Sequence, residues 1–259
     1  LGFRFDSYEL PAWSEKSIYD SISANIKEDT RVVIINSPGN PGGNIITEEE
    51  IQKVEELCIE RDIFLLVDEV YRYFGNKELP VAHNWDEVGK NTLLVSSVTK
   101  IFGLPGLRLG WIYTENDIMN EIIAAHQSIT AISPGMSQQL IAHFPEHDYK
   151  GWLQENRDKT IQNRLNLMKI LDSYNLDYIK PEGAFYLMLK IPKTVLEKMD
   201  DIETAFKLKD EFSILLVPGS AFGKNANGYM RLSFGGSGDD FPEAVKRIND
   251  GFKSIMAKV

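Results

Sequence analysis

Along this chain, short hydrophobic runs are repeatedly closed by a polar or glycine-rich end. Four fall in the first half: "RVVIINSP" (31–38), "IFLLVDEVY" (63–71), "TLLVSSV" (92–98) and "LRLGWIYT" (107–114). The first three are nearly unbroken runs of Val, Ile and Leu, the pattern of strands covered on both faces. A helix is predicted between the first two. Thr47 followed three residues later by Glu50 reads as a capping box, and Ile51, Val54, Leu57 and Cys58 then recur at helical spacing. Glu48, Glu49 and Glu50 place negative charge where a helix N-terminus favours it. Strands alternating with helices predict an α/β architecture, a mostly parallel sheet covered by helices.

After Ile118 the period becomes helical, interrupted by "SPG" at 133–135, and a long amphipathic stretch runs from about Tyr149 to Tyr174. A second alternation follows. "GAFYLMLKI" (183–191), "ILLVPGSAFG" (214–223) and "YMRLSFGG" (229–236) read as strands, with helices near 201–212 and 239–256. The pattern predicts a larger domain over residues 1–148 and a smaller α+β C-terminal domain over 149–259, joined by the long helix. No internal repeat or flexible linker interrupts it.

Composition narrows the class only modestly. The 259 residues are 43% hydrophobic and 25% charged, enough for a sizeable core. A formal net charge of -10 with interleaved signs gives no basic surface for nucleic acid or an anionic membrane, so an anionic ligand must be held by local cations. Cys58, the single cysteine, excludes an intrachain disulfide and reads as a core residue. No apolar run approaches a bilayer span and no signal-peptide pattern is visible, so the expectation is a soluble, cytoplasmic protein. His83, His126, His143 and His147 show no metal-ligand spacing, and no metal is expected.

The chemistry stands at the ends of the strands, where an open α/β sheet places its ligand. Asn40 sits in "NSPGNPGG"; Asp68 and Tyr71 end the second run; Ser97, Thr99 and Lys100 end the third, with Arg108 following; Arg231 lies inside "YMRLSFG". A carboxylate closing a buried strand is costly unless it meets a cation or donors. An amine, a carboxylate, hydroxyls, an amide and two arginines together suit pyridoxal 5'-phosphate. That cofactor needs an amine for its imine, an acid to keep its ring nitrogen protonated and cations for its phosphate. Its amino-acid substrate needs a bidentate donor, which arginine supplies.

The set "NSPGNPGG", "DEVY", "SVTKIFGLPGLRLG", "PEGAFY", "VPGSAFG" and "RLSFG", in this order and spacing, resembles the class I/II aminotransferases, the fold-type I enzymes dependent on pyridoxal phosphate. The resemblance implies that Lys100 is the Schiff-base lysine, serving as nucleophile and then as general base. It implies that Asp68 pairs with the pyridine nitrogen, that Asn40 and Tyr71 donate to the phenolic oxygen, and that Ser97 and Arg108 bind the phosphate, with Thr99 a weaker candidate. Arg231, with Asn40, takes the substrate α-carboxylate. Gly103, Gly106 and Gly110 are expected to shape the turn after the lysine, and "PEGAFY" and "VPGSAFG" to be packed strand ends along the cleft. The implied activity moves the amino group of an α-amino acid to a 2-oxoacid, in a homodimer. A lyase or synthase of the same fold uses the same groups, and a non-catalytic module or regulator domain is the alternative from another class.

Two departures stand out. Where the family has threonine and glycine after the Asn-Pro pair, this chain has Gly42-Gly43. Members of the family are also longer at the N-terminus, and this chain opens at Leu1, so an N-terminal part, with its phosphate loop and stacking aromatic, is expected to be missing. Aspartate-type relatives of one subgroup contribute a side-chain-carboxylate binder from the region between Arg108 and Arg157, where this chain has no arginine, so the resemblance implies a weakened but not excluded dicarboxylate preference.

Overall fold

A computed structural model of the chain describes residue 2 and residues 4–10, 16–75, 88–144 and 149–257. Leu1, His83, His147 and the domain boundary expected at residue 148 lie outside the described residues. The chain forms two compact units. One comprises Leu1–Pro11, Lys16–Pro38 and Ile45–Arg157; the other has Gly39–Asn44 and Asp158–Val259 as its main segments.

The first unit opens with helix α1 (Ile18–Ser23), capped by Ser17, whose hydroxyl accepts the Asp20 amide. Strand β1 (Val32–Asn36), helix α2 (Glu48–Glu60), and strands β2 (Phe64–Asp68) and β3 (Thr92–Ser97) follow. Helix α3 (Val98–Ile101), strand β4 (Gly110–Tyr113), and helices α4 (Met119–Thr130) and α5 (Gly135–Ala142) come next; helix α6 (Tyr149–Ser173) belongs to this unit up to Arg157 and to the other from Asp158. The sheet order is β1-β2-β3-β4: the first three strands are parallel and β4 pairs antiparallel with β3.

The capping box at the start of α2 forms as its sequence predicts, with Thr47 and Glu50 each satisfying the other's backbone amide. The helix then lays Ile51, Val54 and Cys58 on Val33, Ile35, Leu65, Val67 and Leu94, which makes one core. Cys58 is fully buried there, and burial pushes its thiol up to about 12. The other sheet face is barer. Val32 is 47% exposed, Ile34 50% and Ile112 40%, although their strands read as covered on both sides.

The second unit is built on an antiparallel sheet in the order β5-β6-β8-β7: β5 (Tyr178–Ile179), β6 (Tyr186–Lys190), β7 (Val217–Pro218) and β8 (Tyr229–Ser233). Helix α7 (Lys193–Leu196) follows β6, helix α8 (Asp201–Phe212) precedes β7, and helix α9 (Phe241–Ala257) follows β8. Leu167 and Leu171 of α6, Leu208 of α8, and Val245, Ile248 and Phe252 of α9 close over Leu187, Leu189, Met230 and Leu232.

The run 214–223 contributes only two residues to this sheet instead of a full strand. Pro218 brings no amide for a ladder, and the chain turns at once into a 3-10 turn, Gly219–Phe222. A side chain on Gly219 would collide with the carbonyl of Ala226.

Candidate active site

In the first unit the polar residues gather where the parallel strands end. Asp68 closes β2, and its Oδ1 accepts the backbone N–H of Val70 at 3.1 Å. Burial pushes its carboxyl above the ordinary carboxylate range; the Val70 bond and the positive charge of Lys100 pull the other way. That acid wants a cationic neighbour and already feels one. Tyr71, on the turn after β2, is buried, and the Lys100 ammonium stands over its ring at 5.7 Å from the centroid.

Lys100 is half-buried on α3, the four-residue helix that begins where β3 stops. Ser97 is the residue before that helix, and its hydroxyl makes no capping bond. Thr99 is half-buried on the same turn. Beyond α3 the chain reverses through Gly103, at φ +63°, and a 3-10 turn, Pro105–Leu107. Arg108 follows in the left-handed region, exposed, with Nη1 donating to the Pro105 carbonyl at 3.1 Å. The chain then returns so that Gly110 stands opposite Ser97. A Cβ at Gly110 would come within 2.8 Å of the Ser96 carbonyl, so glycine alone permits this approach. The β3–β4 register thus puts the Arg108 turn beside the Ser97–Lys100 segment. Phe102 packs on Phe144 and Trp152, at centroid distances of 4.9 and 5.9 Å.

The second unit holds the remaining two candidates. Arg231 lies mid-strand on β8, and its Nη1 donates to Asn40 Oδ1 at 2.8 Å, across 191 positions of sequence. The Asn40 loop is docked by Gly43, at φ +69°, whose carbonyl accepts from Glu182 and Gly183 at 2.8 and 2.7 Å. A Cβ on Gly43 would stand 2.6 Å from that of Pro181. Gly43, which keeps the glycine of the family pattern, therefore lets this loop seat on the "PEG" turn; the departure is confined to Gly42.

Sequence reasoning missed two aromatic partners of Arg231. The Tyr186 ring centroid is 4.4 Å from its guanidinium carbon and that of Phe222 is 4.9 Å. Both residues fall in motifs read only as packed strand ends. It also missed Glu69, fully buried next to Asp68 and paired with Arg72 at 2.9 Å. Of the histidines, His126 sits on exposed α4 beside the Thr130 hydroxyl at 3.1 Å.

The first unit thus brings Asp68, Tyr71 and Lys100 into mutual influence, with Ser97 and Arg108 on adjoining turns, and the second joins Asn40 to Arg231. This donor set fits pyridoxal phosphate. A carboxylate destabilised by burial suits a protonated ring nitrogen, an amine stands nearby, and a hydroxyl that caps no helix and a guanidinium suit the phosphate.

The family model "Aminotransferase class I and II" matches residues 6–248. An aspartate aminotransferase of Bacillus subtilis is 32% identical over 232 residues, covering 86% of this chain and 58% of its own length. Aromatic-amino-acid aminotransferase 2 of Thermococcus litoralis is 29% identical, covering 93% of this chain and 62% of its own length. Among solved structures, a Pyrococcus protein described as protein-A1 superposes with a TM-score of 0.80 at 28% identity, over 91% of this chain and 61% of its own. The aromatic aminotransferase of Pyrococcus horikoshii gives a TM-score of 0.81 at 24% identity, over 92% and 64%, a likeness of fold. This chain spans between 58% and 64% of the length of these curated relatives and of two further aminotransferases.

Proposed function

This chain belongs to the class I and II aminotransferases, and from that premise we propose that its protein moves the amino group of an α-amino acid to a 2-oxoacid with pyridoxal 5'-phosphate. The observation that carries the reading is the Lys100 ammonium standing over the Tyr71 ring with its charge reaching the half-buried Asp68. An isolated surface lysine has no use for such a setting.

When bound, the cofactor supplies an electron sink for the pair left at the substrate Cα. Lys100 would hold it covalently and, once freed by the incoming amine, take the proton from Cα. Asp68 would face the ring nitrogen and keep a proton there; its raised affinity for a proton in isolation is the mark of a carboxylate prepared to meet a cation. Tyr71 would donate to the phenolic oxygen, as would the amide of Asn40, whose oxygen is already committed to Arg231. Ser97 and Arg108 would hold the phosphate, by hydroxyl and guanidinium. Arg231 would take the substrate carboxylate edge-on, as a planar donor can and an ammonium cannot.

The reading extends to a cytoplasmic homodimer. Among the described residues no helix is long and apolar enough to cross a membrane. Ile129, Ile132 and Met136 on the α4–α5 segment are 81%, 75% and 88% exposed, an apolar surface suited to burial against a second copy.

The test is a single turnover. The purified intact protein, given pyridoxal phosphate and a panel of amino acids without an acceptor, is expected to yield stoichiometric 2-oxoacid and pyridoxamine phosphate. Oxoacid with free ammonia would make it a lyase, and no oxoacid from any amino acid would reject the reading.

A further inference from the structure

The environment of Arg231 carries more than the identity of its ligand. The residue stands opposite Met188 on β6 and Val217 on β7, so Tyr186, two positions before Met188, is its diagonal neighbour on the same face. That register places the Tyr186 ring at the guanidinium, as diagonal pairs on antiparallel strands reach one another through long side chains. Phe222 arrives from elsewhere, from the end of the 3-10 turn. Among the described residues no carboxylate pairs with Arg231. Its partners among the described residues are two ring faces, which hold the guanidinium carbon, and one amide oxygen, which takes an Nη1 hydrogen; the guanidinium carries five N–H donors in all.

The two rings are anchored differently. Tyr186 belongs to β6, whose first four residues are buried, and is locked by the sheet. Phe222 depends on its turn, and the turn depends on helix α8. The Ser220 amide donates to Asp201 Oδ2 at 2.7 Å, a short charge-assisted bond, and Asp201 is itself only 5% exposed in the first turn of α8. With Gly219 wedged against Ala226, the segment has little other room.

We propose that Phe222 is a positioning residue for Arg231, and that the buried carboxylate of Asp201 sets where the Phe222 ring stands. Phe222 attracts the guanidinium by its face and restricts its swing, so the fork meets an incoming carboxylate already aligned. Asp201 acts at one further remove, through the turn. This inference rests on the reading of Arg231 as the carboxylate clamp.

The experiment titrates the intact protein, loaded with its cofactor, with two unreactive carboxylates, 3-phenylpropionate and succinate, by calorimetry. It is paired with steady-state kinetics on the amino-acid donor. Phe222→Leu is expected to weaken both carboxylates about tenfold and to raise KM by a similar factor, with kcat within about twofold. Phe222→Tyr, which keeps the ring face, is expected to bind within about twofold of the parent. Asp201→Asn keeps an acceptor for Ser220 but removes its charge, and is expected to weaken both probes about threefold. Should Phe222→Leu not fold, the Asp201→Asn titration decides the matter alone. Unchanged affinity in the substituted proteins, or equal losses in Phe222→Leu and Phe222→Tyr, overturns the inference while the parent still binds both probes. A parent that binds neither carboxylate overturns the clamp reading and this inference together.

Discussion

Lys100 and Arg231 are the two cations on which the proposed chemistry turns, and the protein holds them in opposite ways. Lys100 rides a four-residue helix at the end of a strand, half-buried, over one ring at 5.7 Å and in the field of an acid. Arg231 is fixed mid-strand between flanking strands, against two rings at 4.4 and 4.9 Å and an amide at 2.8 Å. The difference follows from what each must do. A lysine that is first bonded and then carries a proton needs a flexible stem and room to move. An arginine that only aligns a carboxylate gains from every freedom removed before the ligand arrives. The strand end supplies the first condition and an inner strand of the antiparallel sheet the second.

The comparison breaks most directly at Lys100. Lys100→Ala is expected to abolish turnover, and borohydride treatment of the cofactor-loaded parent should fix a pyridoxyl group on the peptide containing Lys100, located by mass spectrometry. A label on any other lysine would dissolve the contrast.

Asp68→Asn comes next. Turnover is expected to fall roughly 10²–10⁴-fold while cofactor is still retained, read from absorbance and single-turnover yield. The same change carries a pH signature in the protein without cofactor. Burial raises the Asp68 carboxyl above its unfolded value near 3.8, so the native state binds this proton more tightly than the unfolded state does. Stability from this group is greatest below that value and falls as pH rises toward the native one. Asp68→Asn should therefore raise the unfolding midpoint of the cofactor-free protein at pH 7, with the gain vanishing below about pH 4. A midpoint lowered at pH 7 would assign Asp68 a structural role.

Arg231→Lys tests the rigid side of the comparison. It keeps the charge but loses the planar fork, and is expected to weaken carboxylate binding about 10–100-fold with little change in Lys100 labelling. Loss of that labelling would show that the two cations are not separable. Gly43→Ala sharpens the contrast from the scaffold. A side chain at φ +69° facing Pro181 and Gly183 should cost roughly 3 kcal/mol in denaturant titration and weaken carboxylate binding through displaced Asn40, with Lys100 labelling intact.

Much of the framework was legible because its signals are local. The Thr47–Glu50 capping box needs only a four-residue spacing, and the α2 stripe through Cys58 only a helical period. The helix expected at 201–212 starts where the reading puts it because Asp200 and Glu203 form their own capping box, and it stops where Ser213 enters the left-handed region. The polar strand ends were legible because Asp68 and Lys100 each interrupt the apolar pattern where it stops. The shortened β7 was not, since an apolar run through Pro218 reads as a strand until the missing amide and the Gly219 contact are set against a particular neighbour. The bare face of the β1 strand was likewise invisible, because Val and Ile report only a preference for burial and not what covers them.

By itself, the sequence determined which groups the protein owns: one lysine after a buried strand, an acid closing another, an arginine within a third, and the glycines their turns require. Those are properties of spacing and residue type, carried by local backbone preference and hydrophobic period. Tertiary structure alone decided the company they keep. Whether Arg231 meets Tyr186 depends on a β6–β8 register that pairs it with Met188, whether it meets Phe222 on a turn held by Asp201, and whether it meets Asn40 on a loop seated through Gly43. Such contacts join residues up to 191 positions apart, and long-range packing, which no local propensity encodes, selects among them.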